Sequence, residues 1–249
     1  DRAYWNDIWS AIAGVTWVQE MASAGFSPRS YQTSVVFNSK LWVIGGHDGA
    51  YKNDVWSSID GVVWVQETGA ANFSVRGLHT SVVFNSKIWV IGGTGPSRKN
   101  DVWSSADGIT WIQETASAGF SPRYGHSSVV YGAKIWVIAG TDGLDKNDVW
   151  SSSNGMTWMR EIATAAFPVR EYHTSIVDNG QMWVIGGWKD NTAIYNDVWS
   201  STNGVTWIQG IAAAAFSARE GHSSVVFNGK MWVIGGHDGV WKNDVWYSP

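Results

Sequence analysis

Apolar positions in this chain come in short runs cut by turn residues, and the second copy of the pattern, from Asn53 to Gly93, shows it in full. Asp54-Val55-Trp56-Ser57-Ser58 alternates apolar and polar side chains and leads into a turn at Asp60-Gly61. Val62-Val63-Trp64-Val65-Gln66 follows, with the β-branched and aromatic content of a strand. A small-residue stretch from Thr68 to Ser74 runs on to Arg76. His79-Thr80-Ser81-Val82-Val83-Phe84 predicts a third strand, and Asn85-Ser86-Lys87 a tight turn. Ile88-Trp89-Val90-Ile91 predicts a fourth, closed by Gly92-Gly93. Other copies place Asn203-Gly204 and Asn228-Gly229 at these turns, which suits hairpins that need positive φ. No stretch keeps a helical period, so the chain reads as all-β.

The tetrapeptide Asn-Asp-Val-Trp sets the scale. It stands at Asn53, Asn100, Asn147, Asn196 and Asn243, with Asn-Asp-Ile-Trp at Asn6, in steps of 47, 47, 47, 49 and 47 residues. A repeat of that length marks a solenoid, a propeller or an array. Four short antiparallel strands per repeat make one propeller blade.

The residues that carry the repeat resemble kelch-repeat β-propellers. A glycine doublet closes an aromatic-bearing strand and two aromatics follow, as in Gly45-Gly46 before Trp56 and Trp64, or Gly186-Gly187 before Trp199 and Trp207. The run from Arg123 to Ser128 fits the innermost strand of that family. The resemblance covers nearly the whole chain and is nearest to bacterial arrays rich in Asp-Val-Trp-Ser-Ser and Trp-Val-Ile-Gly-Gly phrases. Ala139-Gly140 departs from the doublet, and Gln32 stands where later copies have His79, His126, His173 and His222. The resemblance implies a fold and leaves function open.

Innermost hairpins run from Ser34 to Gly46, Ser81 to Gly93, Ser128 to Gly140, Ser175 to Gly187 and Ser224 to Gly236, which predicts five blades. The expectation is one domain over residues 1–249, with repeats starting at 6, 53, 100, 147 and 196 and a partial extra strand at 243–249. Outer strands between Asn6 and Glu20 are expected to pair with the inner strands between His222 and Gly236, closing the ring. Asn243–Trp246 then duplicates Asn6–Trp9. Either the C-terminal copy takes that place, or it exchanges between molecules, or the chain was cut from a longer array. A closed monomer is the reading favoured, with a strand-exchanged oligomer as the alternative.

Composition narrows the function classes. The net charge of −4 lacks the basic face that nucleic acid needs. With no cysteine, disulfides and thiolate chemistry are excluded. No apolar run reaches membrane-spanning length. The chain opens at Asp1 with neither Met nor a signal-like segment, as expected of a processed or excised protein. A secreted or cell-surface location is what the resemblance implies. Of the 19 tryptophans, three per repeat recur at fixed places and are expected in the core. Trp5, Trp188 and Trp241 lie outside that pattern.

Candidate chemistry sits in two sets of loops, expected to rim one mouth of the central channel. One set ends at Arg29, Arg76, Arg123, Arg170 and Arg219. These arginines are candidate ligand clamps; the structural alternative is that each pairs with an Asp of Asn-Asp-Val-Trp. The histidines that open the innermost strands are expected to bond across blades, not to hold a metal. The two residues after each Arg vary: Ser30-Tyr31, Gly77-Leu78, Tyr124-Gly125, Glu171-Tyr172 and Glu220-Gly221. Together with Tyr51, Trp188 and Trp241 in the second set of loops, Tyr31, Tyr124, Glu171, Tyr172 and Glu220 are candidates for a ligand pocket. An aromatic face beside Asp, Asn and Lys suits a sugar. For Trp5, Trp188 and Trp241 the alternative is a covering role.

A non-catalytic module that binds a glycan or small polar ligand is the first reading, with no cofactor or metal. A protein-interaction scaffold is the alternative, and an engineered or excerpted propeller without ligand is another. Kelch-like propellers also include a copper galactose oxidase, whose crosslinked cofactor needs a cysteine that is absent here. They include sialic-acid epimerases as well, for which Glu171 or Glu220 beside Arg170 and Arg219 would have to serve.

Overall fold

The computed structural model describes residues 4–248 and divides into two compact units, Asp1–Ala118 and Gly119–Pro249. In the first, β1 (Ile8–Ser10) and β2 (Val18–Met21) form a two-stranded sheet. Two four-stranded antiparallel blades follow: β3 (Thr33–Phe37) to β6 (Val65–Thr68), through β4 (Lys40–His47) and β5 (Tyr51–Ser58), then β7 (Thr80–Phe84), β8 (Lys87–Thr94), β9 (Arg98–Ser105) and β10 (Ile112–Thr115).

The second unit holds two more blades of four strands. One comprises β11 (Ser127–Tyr131), β12 (Lys134–Thr141), β13 (Asp145–Ser152) and β14 (Met159–Ile162). The other comprises β15 (Thr174–Asp178), β16 (Gln181–Lys189), β17 (Ala193–Ser201) and β18 (Ile208–Ile211). The last blade has three: β19 (Ser223–Phe227), β20 (Lys230–His237) and β21 (Trp241–Tyr247).

Two expectations are corrected. The edge of β20 expected for the N-terminal strands is occupied by β21 of its own blade, which runs along it from Trp232↔Tyr247 to His237↔Trp241, so the C-terminal copy takes that place; in the first unit β1 pairs with β2. A seven-residue strand joined to β20 by a tight turn closes a short loop at small entropic cost; three-residue β1 offers far less. The strand after the Asp60-Gly61 turn, β6, also starts at Val65 and not at Val62. Ser58 Oγ accepts from Gly61 N, and Asp60 Oδ1 accepts from Val62 N and Val63 N, all at 2.8 Å, which holds those residues in a turn.

The Asn-Asp-Val-Trp motif is a loop anchor. In the β11–β14 blade, Asn147 Nδ2 donates to the carbonyls of Ala165 and Phe167 in the outgoing loop, each at 3.0 Å. Asp148 binds Arg123 of the incoming loop and accepts from Trp150 Nε1 at 2.8 Å. Val149 is fully buried, and Trp150 stands edge-on to Phe120. Four consecutive side chains thus fix both loops of one blade.

Neighbouring blades within each unit share apolar cores. Trp42, Ile44 and Val55 meet Ile88, Val90 and Trp111 in the first, and Trp136, Ile138 and Val149 meet Met182, Val184 and Trp207 in the second. The glycine doublet marks a bulge where two blades touch. Gly45 has φ 58°, and a Cβ there would lie 2.9 Å from the Arg76 carbonyl, while Gly46 N donates to that same oxygen.

Candidate functional site

The five arginines are buried, at 0–4% exposure, and paired inside their own blades. Arg29, Arg76, Arg123, Arg170 and Arg219 each grip one carboxylate with both Nη atoms: Asp54, Asp101, Asp148, Asp197 and Asp244. Each Nη1 also donates to a carbonyl of the glycine-doublet strand, such as Gly45 or Gly186, and each Nε to the carbonyl two residues earlier. This corrects the ligand-clamp expectation. Repetition of the motif serves blade assembly, because each guanidinium is turned inward onto a carboxylate and carbonyls of its own blade. Burial raises the Asp101 carboxyl, but the Arg76 and Trp103 hydrogen bonds and the Arg76 charge bring it below its ordinary value.

Three histidines bond across neighbouring blades: His79 Nε2 to Thr33 Oγ1 at 3.0 Å, His173 Nε2 to Ser127 Oγ at 2.7 Å and His222 Nε2 to Thr174 Oγ1 at 2.9 Å. Burial pushes His222 down to about 3, and burial with the Arg170 charge holds His173 well below the usual imidazole range. Both are neutral at physiological pH. The Asp-Gly turns are ordinary turns closed by a lysine: Lys52 with Asp48, Lys146 with Asp142 and Lys242 with Asp238, at 2.9, 3.0 and 2.9 Å. No group of three His, Cys, Asp or Glu among the described residues is placed to hold a metal ion.

The variable positions behave differently. In the second unit Tyr172 has ring partners on both sides, with Tyr124 and Trp188 centroids each 6.3 Å away and tilted by 41° and 32°. Two backbone links build this shelf. Tyr172 N donates to Gly125 O at 2.8 Å, and Glu171 and Trp188 exchange N–H···O bonds at 2.8 Å in both directions. All three rings are half-buried, and each keeps some exposed surface. The Glu171 side chain is buried beside Gly125, where a Cβ would meet its Oε2 at 3.1 Å. At the tip of the β16–β17 hairpin, Asp190 N donates to Asp145 Oδ2 at 2.7 Å, so the two-residue insertion leans on the preceding blade.

Trp241 belongs to the last blade, where it stacks on His237 at 4.8 Å; Glu220 Oε1 lies 3.6 Å from that imidazole. In the first unit Tyr51 meets His47 edge-on at 4.9 Å, and the Tyr4 hydroxyl bonds His47 Nδ1 at 3.1 Å. Tyr31 and Tyr51 flank Gly77. The candidate residues named from sequence therefore fall into separate groups: Tyr31 and Tyr51 in the first unit, and in the second the Tyr124–Tyr172–Trp188 shelf and the Trp241–His237–Glu220 group.

Sequence reasoning missed a backbone signal. The second residue after each Arg sits at positive φ: Tyr31 62°, Leu78 55°, Gly125 63°, Tyr172 53° and Gly221 60°. Glycine occupies that conformation freely and a tyrosine does so at a cost. Two glycines against three bulky residues was a visible hint. A cleft of about 410 Å³ beside β13, lined by Asp142, Asp145, Lys146, Asp148, Trp150 and Arg160, was also unforeseen.

Family models match the chain twice: the KLHDC2/KLHL20/DRC7 Kelch-repeats domain over residues 78–248, and the Kelch motif over residues 28–57. Among solved structures, one described as the structure of YjhT is similar, with a TM-score of 0.76 over 93% of this chain and 84% of that one. At 18% identity that likeness concerns the fold alone. Solved chains that match number 371, so the fold is widespread and by itself names no ligand. No curated protein matches the chain. The architecture is all-β and five-bladed, with four antiparallel strands to a blade except where the terminal sheets have two and three.

Proposed function

Because the chain belongs to the Kelch-repeat domain family, whose propellers are mostly non-catalytic binding scaffolds, we propose that it binds a glycan or small polar ligand on the Tyr124–Tyr172–Trp188 shelf. One observation carries this reading. Tyr172 holds a strained positive-φ backbone where two other blades use glycine, and the strain places its ring between two more aromatics. Backbone strain is shared with Tyr31 and Leu78 at the same place in the repeat, but of these three Tyr172 is the one whose ring meets both a tyrosine and a tryptophan. A sugar offers an apolar C–H face to such rings and hydroxyls to exposed polar side chains of the same hairpin, such as Lys189 and Asn191.

Catalysis has less support. The epimerase reading needs a carboxylate beside a channel arginine, and Arg170 and Arg219 are turned into Asp197 and Asp244. The second reading is a protein-binding kelch scaffold. Its support is the apolar exposure along the outer strands, at Val65, Ile112, Met159, Ile208 and Ile211.

A glycan array probed with the labelled protein and with Trp188→Ala tests the proposal. A selective hit lost in the variant is the expected result. A hit that survives moves the site elsewhere, and a blank array with folded protein favours the protein-binding reading.

A further inference from the structure

A repeat protein carries its own control: a side chain that the other copies lack is not required to build the blade. The β11–β14 blade has two such side chains, and both are charged. Arg160 on β14 stands where the other copies have Gln19, Gln66, Gln113 and Gln209. Asp145 on β13 precedes the turn lysine, where the turns of equal length have Tyr51, Arg98 and Trp241.

The fold brings the two to one cavity. The cleft of about 410 Å³ beside β13 is lined entirely by this blade and the loop that leads into it, and Asp145 and Arg160 both belong to its wall. Its other charged groups are already paired. Arg123 Nη1 lies 2.6 Å from Asp148 Oδ1, and Lys146 Nζ lies 3.0 Å from Asp142 Oδ1. Burial raises the Asp142 carboxyl, but hydrogen bonds from Ser121 and Lys146 bring it below its ordinary value, so that pair is ionised.

Asp145 and Arg160 touch only neutral groups. Asp145 Oδ2 accepts from Asp190 N at 2.7 Å, and the Arg160 guanidinium lies 5.8 Å from the centroid of the Trp150 ring. Among the described residues neither is ion-paired, with the other or with anything else. Trp150 is the cross-strand partner of Arg160, and its Nε1 is tied to Asp148 Oδ2 at 2.8 Å, so the ring under the guanidinium is fixed. Gly119 of the incoming loop admits that ring, since a Cβ there would stand 2.8 Å from Trp150 Cζ3.

We propose that this cleft binds a small zwitterion, an amino acid or short peptide, with its carboxylate on Arg160, its ammonium on Asp145 and its apolar part against Trp150. A simple anion would answer Arg160 and meet repulsion from Asp145, and a simple cation would do the reverse. A molecule carrying both charges satisfies both groups. The guanidinium fork suits a carboxylate, and the volume falls within the range of small-molecule sites, about 300–1,000 Å³.

Isothermal titration calorimetry of the 249-residue chain with leucine, γ-aminobutyrate and glycylleucine, whose two charges lie progressively further apart, tests this. At least one is expected to bind saturably. Its N-acetyl and amide derivatives, each lacking one charge, are expected to bind at least about tenfold more weakly. Arg160→Gln restores the residue of the other copies, so melting is expected to hold while affinity falls at least about tenfold. Asp145→Asn keeps an oxygen for Asp190 N and is expected to weaken binding to a similar extent. No binding by any of the three at their highest soluble concentration overturns the proposal. So does binding that Arg160→Gln leaves unchanged, or equal affinity for the charge-blocked derivatives.

Discussion

Arg170 grips Asp197 with both arms of its guanidinium, Nη1 to Oδ1 at 2.7 Å and Nη2 to Oδ2 at 2.8 Å, and both residues are buried. The same carboxylate accepts from Trp199 Nε1 at 2.7 Å. One aspartate thus ties the incoming loop to the third strand of its blade.

Removing one partner of a buried pair strands the other charge. Asp197→Asn is expected to cost about 3–5 kcal/mol in urea denaturation. A loss below about 1 kcal/mol would place the pair among surface ion pairs in energetic terms.

Acid is expected to destabilise the fold from near neutrality. His222, held at about 3, stays neutral in the folded chain, while the unfolded imidazole takes a proton near its ordinary 6.5. Between those values the unfolded state binds more protons, so stability falls as pH falls from about 6.5 toward 3. His173 adds a loss of the same sign. Thermal melts across that window should show the decline, and His222→Gln, which keeps a donor toward Thr174, should flatten it. A melting temperature constant down to pH 4.5 would contradict the buried neutral state.

Phe167 fills the space between Trp199 and Trp207, with ring centroids at 6.5 and 5.1 Å. It is fully buried, so Phe167→Ala is expected to cost about 3–5 kcal/mol by chemical denaturation. A cost near that of a surface change would mean the aromatic triad does not hold the blades.

Tyr172 separates ligand binding from folding. Its φ of 53° suits glycine, so Tyr172→Gly relieves strain on the order of 1 kcal/mol and offsets part of the packing it removes. The expected outcome is a melting temperature little changed, with the glycan-array signal lost. A signal retained at full strength would remove the shelf as the binding site.

Much of this was legible in the chain itself. The Asn-Asp-Val-Trp spacing and the strand-length apolar runs determined five repeats of one four-stranded unit, because alternation and turn residues are local properties read along the chain. Aromatic surplus outside the repeat also marked Trp188 and the variable pairs after each arginine. The partner of Arg170 could be named only as one of two alternatives, since a residue 27 positions away becomes a neighbour only when strands two and three fold back.

Tertiary structure alone decided the rest. It turned the arginines from solvent into their own blades, split the aromatic candidates between two units, and set Tyr172 at positive φ beside Trp188. It also gave the edge of β20 to β21 instead of the N-terminal strands. The motifs at Asn6 and Asn243 differ only by Ile8 against Val245, two β-branched residues, and carry nearly equal local propensity. Choosing between them rests on loop-closure entropy and on which edge is near, and neither is written in a strand's own residues.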